Sequence, residues 1–536
     1  MTIVESYPAL SILPPLLAII LVIWTKKVLP SLGLGVVTAA LLHAGGNPLK
    51  AGKLLWDSFA GIFWDFEAGE ANLYYIFILA FLLILGVITS LVMMAGGTAA
   101  FAEWAMKRIK TRSGAQFLAA ALGVVIFIDD YFNALAVGQV GRPITDRRRV
   151  SRAKLAYLID STSAPVAVLA PFSSWGASII GTMAPIVAAS GLALSGAGAF
   201  IRAAGMNYYA IGAIILIWFV IAWDIDFGPM RAEERRAIVE KAAFDPALAV
   251  PGQLTDDLPR YEPGARRALI VPFFALVFGV LGAMVWTGQR SGGSWAVLDI
   301  LANTDVSMSL IIGGGVGLVA AFYYYLRYTL RSPDFGFKVL GKGVASGAGS
   351  MLPAIYILLL AWTLGSLISA LGTGEYLGSL VSAASVPAVW LVPVLFLFAA
   401  GMAFATGTSW GSFGILLPLA GQMLTAVPGG EEVLVAAFGA VLAGAVFGDH
   451  CSPISDTTIL SSTGASCNLT THVNTQLPYA AVAAAASLLG YVTFALTTSA
   501  WIGFAVMLGA VVAFAFFARV KWPSISQEEL EKRVDA

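Results

Sequence analysis

The chain has 536 residues, of which 58% are hydrophobic and only 12% are charged. Soluble domains usually carry about 25% charged residues, so this composition, with a mean hydropathy of +0.84, excludes an ordinary water-soluble fold. Because 31 Lys and Arg balance 31 Asp and Glu, net charge gives no reason to expect a nucleic-acid partner. The two cysteines, Cys451 and Cys467, are too few for a disulfide framework.

The first apolar segment predicts a membrane span with the N-terminus outside. Its first charged residue is Glu5, and Lys26 and Lys27 follow the apolar run. A secretory signal has the opposite charge order and ends in a small-residue cleavage site. The basic tail from Arg519 places the C-terminus in the cytoplasm by the positive-inside rule.

Further apolar segments have the length of membrane-spanning helices, which need roughly 20 residues. Two longer stretches, about 154–190 and 433–466, are interrupted by polar residues, Pro and Gly. The uninterrupted candidate spans cover about 8–25, 28–43, 72–96, 206–223, 267–287, 306–326, 350–371, 478–497 and 500–519.

Two other segments, about 114–141 and 386–425, are predicted to be re-entrant hairpins. Basic loops flank segment 114–141 on both sides, so it must enter and leave the membrane on the cytoplasmic face. Segment 386–425 lies between Glu375 and Glu431-Glu432, which places both of its ends outside.

The resulting order is three spans, a hairpin and two spans, repeated once, plus a final helix. Because five crossings are an odd number, the second unit is inverted relative to the first. The predicted fold is therefore an all-α polytopic membrane protein of two inverted repeats, each with five transmembrane helices, a re-entrant helical hairpin and an interrupted helix at the midplane. The predicted units are residues 1–224, a partly helical cytoplasmic linker at 225–266, residues 267–498, and a final helix and cytoplasmic tail at 499–536.

Short similarities between the two units support a repeat. Asp160-x-x-Ser163-x-Pro165 corresponds to Asp449-x-x-Ser452-Pro453. Downstream, the segment from Ser173 to Ser178 (SSWGAS) corresponds to that from Ser461 to Ser466 (SSTGAS). Interrupted helices in inverted repeats are typical of secondary transporters.

The tips of the two hairpins hold the first candidate site residues. Asp129 and Asp130 end an apolar run in the first hairpin, with Asn133 beside them. They could cap the turn, but two charges at membrane depth cost several kcal/mol unless compensated, which favours a functional pair. The second tip offers neutral ligands instead, namely Thr406, Thr408 and Ser409.

The two interrupted helices hold the remaining candidates. Asp160, with Ser163, could be functional or could form an interfacial salt bridge with Arg152 or Lys154. In the second unit, Pro453 helps to unwind the backbone, so freed carbonyls could bind a hard cation together with carboxylate and hydroxyl oxygens. The candidates there are Asp449, Ser452, Asp456 and Thr457, and the alternative is a polar network that only packs the break.

The histidines are expected to have lesser roles. His450 could carry a proton, but its spacing does not fit a zinc site. His472 is expected in a cytoplasmic loop and His43 at a span end. The sequence contains no phosphate-binding Gly-x4-Gly-Lys-Ser/Thr motif, which disfavours an ATP-driven pump.

The segment from Gly448 to Ser462 (GDHCSPISDTTILSS) resembles the NhaC family of sodium/proton antiporters, as do the segments from Phe127 to Asn133 and from His472 to Tyr479. The resemblance implies a multi-pass protein of a bacterial or archaeal cell membrane, surrounded by lipid and commonly homodimeric. It also implies cation/proton exchange, although the family includes malate–lactate exchangers.

The leading hypothesis is a non-enzymatic exchanger of sodium or lithium for protons, without a cofactor. Sodium would bind to Asp129, Asp130, Asp449 and Asp456. The alternative is a sodium- or proton-coupled transporter of a small organic acid or amino acid. A membrane-embedded enzyme is less well supported, because no nucleophile–base–orienter set is present beyond the contiguous His450-Cys451. A channel is less well supported because it does not require inverted repeats with interrupted helices.

Overall fold

The computed structural model describes residues 7–25, 27–66, 68–127, 130–171, 173–248, 258–329, 332, 334–373, 376, 387–425 and 429–525. The predicted site residue Asp129 and the end of the C-terminal tail lie outside the described residues. The described chain is mostly helical, with one short antiparallel pair of strands, β1 (Trp64–Asp65) and β2 (Glu70–Ala71).

The first part of the chain, up to residue 240, begins with a short 3₁₀ helix, Pro8–Ile12. Its α-helices are α1 (Leu13–Thr25), α2 (Val28–His43), α3 (Pro48–Ala60), α4 (Leu73–Met94), α5 (Gly97–Met106), α6 (Arg112–Val125), α7 (Asp130–Arg147), α8 (Arg152–Asp160), α9 (Ala164–Ala167), α10 (Ser174–Ala189), α11 (Gly196–Gly205), α12 (Tyr208–Ala222) and α13 (Pro229–Arg235).

The second part contains longer helices. These are α14 (Arg267–Gly292), α15 (Val297–Ala302), α16 (Val306–Thr329), α17 (Phe337–Ala370), α18 (Ala388–Thr406), α19 (Ser409–Thr425), α20 (Gly430–Cys451), α21 (Asp456–Ala465), α22 (Leu469–Thr497) and α23 (Ala500–Lys521).

Seven of the described helices are long and apolar enough to cross a membrane: α4, α14, α16, α18, α20, α22 and α23. An eighth span is possible if α11 and α12, which meet at 48°, are counted as one. This number of apolar helices makes the protein a multi-pass membrane protein. Helix α18 was predicted to be one arm of a re-entrant hairpin, yet its 19 residues meet the length and composition test for a span.

The helices pack in two groups that meet beside the polar segments. Helix α4 contacts α14, α16 and α17, and α14 also packs against α16, whereas α18, α20 and α22 form the centre of the second group. Within the second group, α7 packs on α21, so the first hairpin contacts the broken helix of the second half. Helix α21 also contacts α17, which joins the two groups.

Glycines allow α18 and α20 to approach closely just before Asp449. A Cβ atom on Gly444 would lie 2.1 Å from the backbone oxygen of Phe396, and one on Gly448 would lie 2.1 Å from that of Ala400. Glycines four residues apart are the usual means of close helix contact in membranes. The α18–α20 contact therefore fixes the position of Asp449.

We expect Gly444→Ala to destabilise the protein by about 1–3 kcal/mol, because the added methyl group must push two backbones apart. Gly349→Ala is the matched control, since a Cβ atom at Gly349 has no neighbour within 4 Å. Thermal unfolding of the purified variants in detergent measures the difference. Equal melting temperatures would show that the two helices separate without cost.

Both predicted interruptions of helices are present, but they differ in length. The chain leaves α8 at Asp160 and resumes a long helix only at Ser174, with the single turn α9 between. The second break is shorter, since α20 ends at Cys451 and α21 begins at Asp456. As a result, Ser173 is the N-terminal cap of α10, whereas its sequence counterpart Ser461 lies within α21.

The linker between the two halves docks through buried charges. It is helical over Pro229–Arg235 and continues as a π-helical turn to Glu240. Lys154 of α8 pairs with Asp226, and Arg112 of α6 pairs with Glu234.

This linker cluster consists of Arg112, Lys154, Asp224, Asp226 and Glu234, and its three acids exceed its two bases by one. Burial raises the pKa of Asp226 to about 6; Lys154 opposes this effect, and Glu234 and Asp224 add to it.

Candidate functional site

Asp449 is the centre of a polar site where three helix ends meet. It lies in the last turn of α20, and the residue is only 2% exposed. Its Oδ2 atom accepts hydrogen bonds from the hydroxyl groups of Ser409 at 2.8 Å and Thr457 at 3.3 Å. Among the described residues, its Oδ1 atom has no hydrogen-bond partner.

Gly407 brings the second hairpin tip to this site. It ends α18 in a left-handed conformation, with φ +71°, which glycine adopts without steric cost. A Cβ atom there would also lie 2.7 Å from the backbone oxygen of Ile454. The tight turn places Ser409, the first residue of α19, against Asp449.

A second carboxylate, Asp456, lies on the other side of Thr457. It is the first residue of α21, where the helix dipole favours negative charge. Its Oδ1 atom accepts from the backbone N–H of Thr457 at 2.9 Å, and its Oδ2 atom accepts from the hydroxyl group of Tyr131. Thr457 therefore contacts both carboxylates, through its hydroxyl group and its backbone.

These two acids have neutral surroundings. No Lys or Arg in the described part of the chain forms an ion pair with Asp449 or Asp456. Their side-chain hydrogen-bond partners are hydroxyl groups. Buried carboxylates without a fixed cation carry a large desolvation cost when ionised, which a proton or a metal cation can relieve.

Asp160 forms a neighbouring centre. The residue is 1% exposed, and its Oδ1 atom accepts from the hydroxyl group of Ser461 at 3.1 Å. Its Oδ2 atom is approached by Gln476 Nε2 at 2.5 Å, His472 Nε2 at 3.2 Å and Thr458 Oγ1 at 3.4 Å.

The possible salt bridge of Asp160 with Arg152 or Lys154 is absent. Arg152 pairs with Asp146 at 3.2 Å, and Lys154 pairs with Asp226. The salt bridge cannot form because Asp160 is the last residue of α8, whereas the two basic residues lie in the first turn of that helix, near the linker.

The expectation for His472 was wrong. It was placed in a loop, but α22 begins at Leu469, earlier than the predicted start near 478, with Asn468 as its N-terminal cap. His472 is completely buried. The polar residues around His472 made the start of α22 look like a loop. Two features of the sequence indicate the helix: Asn468 as an N-terminal cap and the i, i+4 spacing of His472 and Gln476.

Hydrogen bonds link the two centres. Thr458 Oγ1 lies 3.4 Å from Asp160 Oδ2 and also 3.4 Å from the backbone oxygen of Asp449. Gln476 Nε2 contacts both Asp160 and the backbone oxygen of His450, the latter at 2.6 Å. The His450 ring lies between Ser161 and Tyr209, at 3.0 and 2.7 Å.

The first hairpin contributes Asp130 and Asn133 near this network. Asp130 begins α7 and accepts a hydrogen bond from Trp175 Nε1 at 3.0 Å. The Asn133 amide group donates to the backbone oxygens of Gly123 and Ile126, at 2.5 and 2.9 Å. Asn133 therefore holds the hairpin turn closed.

Three predicted hydroxyl ligands mainly hold backbone in place. Ser163 donates to the backbone oxygen of Asp160 at 3.0 Å, and Ser452 to that of Phe404 at 2.8 Å. Thr406 donates to Met402 at 2.9 Å. Sequence reasoning did not single out Tyr131, Trp175 or Gln476, which contact the predicted acids.

The described residues contain no group of three or more His, Cys, Asp or Glu side chains that could hold a metal ion. Asp130, Asp449 and Asp456 therefore do not form one carboxylate cage. A hard cation at Asp449 would draw its remaining ligands from hydroxyl and backbone oxygens, such as those of Ser409 and Thr457.

A cavity of about 490 Å³ lies beside Asp456. Hydroxyl groups and aromatic rings dominate its wall, and Asp456 is the one carboxylate among the described residues that line it. The lining residues are Tyr74, Tyr75, Tyr131, Trp362, Gly365, Ser366, Ile368, Ser369, Met402, Thr406, Gly407, Thr408, Trp410, Gly411, Ile415, Ile454 and Asp456.

Apolar helices that carry buried, mutually linked carboxylates at their breaks are the architecture of a membrane transporter. The comparisons with known proteins narrow the class to secondary antiporters. The chain belongs to the Na+/H+ antiporter family, whose model matches residues 166–496. This confirms the resemblance to sodium/proton antiporters of the NhaC type.

Three relatives extend the comparison. An uncharacterised protein of Haemophilus influenzae is 41% identical over 515 residues, covering 94% of each chain. A malate-2H(+)/Na(+)-lactate antiporter of Bacillus subtilis is 30% identical, over 33% of this chain and 41% of that protein. The arginine/ornithine antiporter ArcD of Halobacterium salinarum is 33% identical, over 38% of this chain and 39% of that protein.

Proposed function

We propose that this antiporter exchanges sodium or lithium ions for protons across the cytoplasmic membrane, at a site centred on Asp449 and Asp456. The supporting observation is the buried Asp449 carboxylate, which hydroxyl groups surround and with which no described Lys or Arg pairs. Membership of the Na+/H+ antiporter family agrees with this exchange.

Competition for the same oxygens explains the coupling. A carboxylate held away from water keeps a proton unless a cation replaces it. Either the proton or the cation neutralises the carboxylate, so an occupied site can switch from one side of the membrane to the other. An empty site is charged, and the free-energy cost of burying that charge prevents the switch. If each cycle moves net charge, the membrane potential contributes about 2.3 kcal/mol per charge per 100 mV.

The remaining predicted residues have supporting roles in this proposal. Asp130 lies at the first hairpin tip beside the route, and Asp160 helps to position Asp449 through Thr458, whose hydroxyl group contacts the Asp160 carboxylate and the backbone oxygen of Asp449. Thr406, Thr408 and Ser409 supply neutral oxygens from the second tip. From the sequence pattern we further propose the inverted-repeat arrangement, an external N-terminus and a cytoplasmic C-terminus. The family resemblance adds the proposal of a homodimeric assembly.

Everted membrane vesicles provide the test. With a proton gradient established and a quenched pH-sensitive dye as the reporter, addition of sodium or lithium is expected to restore fluorescence. Vesicles that lack the protein are the control. If neither ion restores fluorescence above this control at any pH between about 6 and 9, the proposal of sodium or lithium exchange is wrong.

A second candidate function is exchange of a small organic solute, since the cavity beside Asp456 has the volume of a small-molecule site. The malate–lactate and arginine/ornithine relatives support this class in general. Radiolabelled malate, lactate and amino-acid uptake into proteoliposomes distinguishes it from exchange of inorganic ions alone.

A further inference from the structure

The cavity beside Asp456 is larger than an inorganic ion requires. Its volume is about 490 Å³, whereas pockets for small organic molecules span about 300–1,000 Å³. A sodium ion at Asp449 would need only the oxygens around one carboxylate. The cavity thus has room for a solute of amino-acid size.

The charge of the cavity wall favours a positively charged solute over a negatively charged one. Asp456 lines the cavity, and no Lys, Arg or His is among the described residues that line it. An anion would meet a carboxylate without a compensating cation, which is unfavourable at this depth. A positively charged group would meet a carboxylate oxygen instead.

The aromatic side chains provide a second, independent feature. Five of the described residues that line the cavity are aromatic: Tyr74, Tyr75, Tyr131, Trp362 and Trp410. Tyr75 packs against Trp362 with ring centroids 4.7 Å apart, so rings from α4 and α17 form one continuous wall. Aromatic faces attract ammonium and guanidinium groups, most strongly when these groups have lost their water.

The chain just before Tyr74 adds negative charge. Asp65 of β1 and Glu70 of β2 are exposed on the strand pair that leads directly into α4. These two acids have the same sign as the Asp456 carboxylate in the cavity wall.

We infer that the aromatic cavity beside Asp456 binds an organic cation of amino-acid size, which carries an ammonium or guanidinium group, as an exchanged substrate. This inference rests on the proposed role of Asp456 in the exchange site. The positive group lies against the Asp456 carboxylate and the faces of Trp362 and Tyr75, and the hydroxyl groups of Ser366, Ser369 and Thr408 bind the polar remainder.

The test uses purified full-length protein in proteoliposomes with a pH-sensitive dye inside. Sodium, lithium, L-lysine, L-arginine, putrescine, L-norleucine and L-malate are added separately to the outside. L-Norleucine matches the lysine side chain without its charge, and L-malate tests the opposite charge. The three organic cations are expected to move protons or to inhibit the sodium signal, whereas norleucine and malate are expected to do neither.

Trp362→Leu is expected to raise the concentration of organic cation needed for half-maximal effect by about 2- to 30-fold, which is the range of cation–aromatic interactions. Trp362→Phe keeps an aromatic face and should change it less. Trp286→Leu is the matched control, because Trp286 is an exposed residue of α14 that does not line the cavity.

The outcomes separate this inference from the proposed function. If sodium gives a signal but the organic cations neither move protons nor change that signal, the inference is overturned and sodium exchange remains in place. The same holds if norleucine and malate have effects equal to those of the organic cations. An organic-cation signal without a sodium or lithium signal supports the inference and overturns the inorganic exchange. The absence of every signal overturns both the inference and the proposed sodium or lithium exchange. These outcomes are all measured on the wild-type protein, so the test remains valid even if a Trp362 variant fails to fold.

Discussion

Asp449→Asn is expected to abolish coupled proton exchange. An amide group cannot release or accept the exchanged proton, and the loss of a charge-assisted contact lowers cation affinity by about 10- to 100-fold. The hydroxyl groups of Ser409 and Thr457 can still donate to the amide oxygen, so the fold should survive. Proton flux driven by sodium in proteoliposomes measures the effect.

Two variants make this result specific. Asp299→Asn changes an exposed acid in α15 and is expected to leave exchange intact. Ser409→Ala removes one neutral ligand of Asp449 and should weaken cation affinity by about 10-fold or less. Undiminished exchange in Asp449→Asn, with correctly folded protein, would place the exchange site elsewhere.

The second large effect is expected from the linker cluster. Lys154→Met should destabilise the protein by about 3–5 kcal/mol, because it leaves Asp226 buried without its ion-pair partner. Asp226→Asn should cost less, since the cluster holds one more acid than it holds bases. Thermal unfolding in detergent measures both variants.

The matched control is Lys338→Met at the exposed start of α17, which should change stability by less than about 0.5 kcal/mol. In the double variant Lys154→Met/Asp226→Leu, part of the loss should be recovered, because Asp226 no longer carries a buried charge without its partner and the excess of acids over bases returns to the wild-type value of one. A Lys154→Met protein as stable as the wild type would show that water or another base compensates Asp226.

The linker cluster and the proposed exchange site are connected through one short helix. Helix α8 carries Lys154 near its start and Asp160 at its end. Lys154 anchors it to the linker, and Asp160 joins the hydrogen-bond network around His472 and Gln476. A change in the docking of the linker would therefore act on the position of Asp160.

Local patterns in the sequence determined a large part of this protein. Apolar length predicted the spans at α4, α14, α16 and α23, because a helix in lipid must satisfy its backbone internally and expose apolar side chains. Proline, glycine and polar residues marked both helix breaks. The acids at these breaks stood out because unpaired charge in a membrane is costly.

Only the tertiary structure decided how these acids are paired. Asp160 and Lys154 lie six residues apart in the chain, yet Asp160 contacts His472 and Gln476, and Lys154 contacts Asp226. Likewise, Tyr131 from the first half donates to Asp456 from the second. Hydropathy and the distribution of charged residues along the chain indicate which segments face lipid and which face water. They do not indicate which helices contact each other, because those contacts depend on the shapes of closely packed side chains.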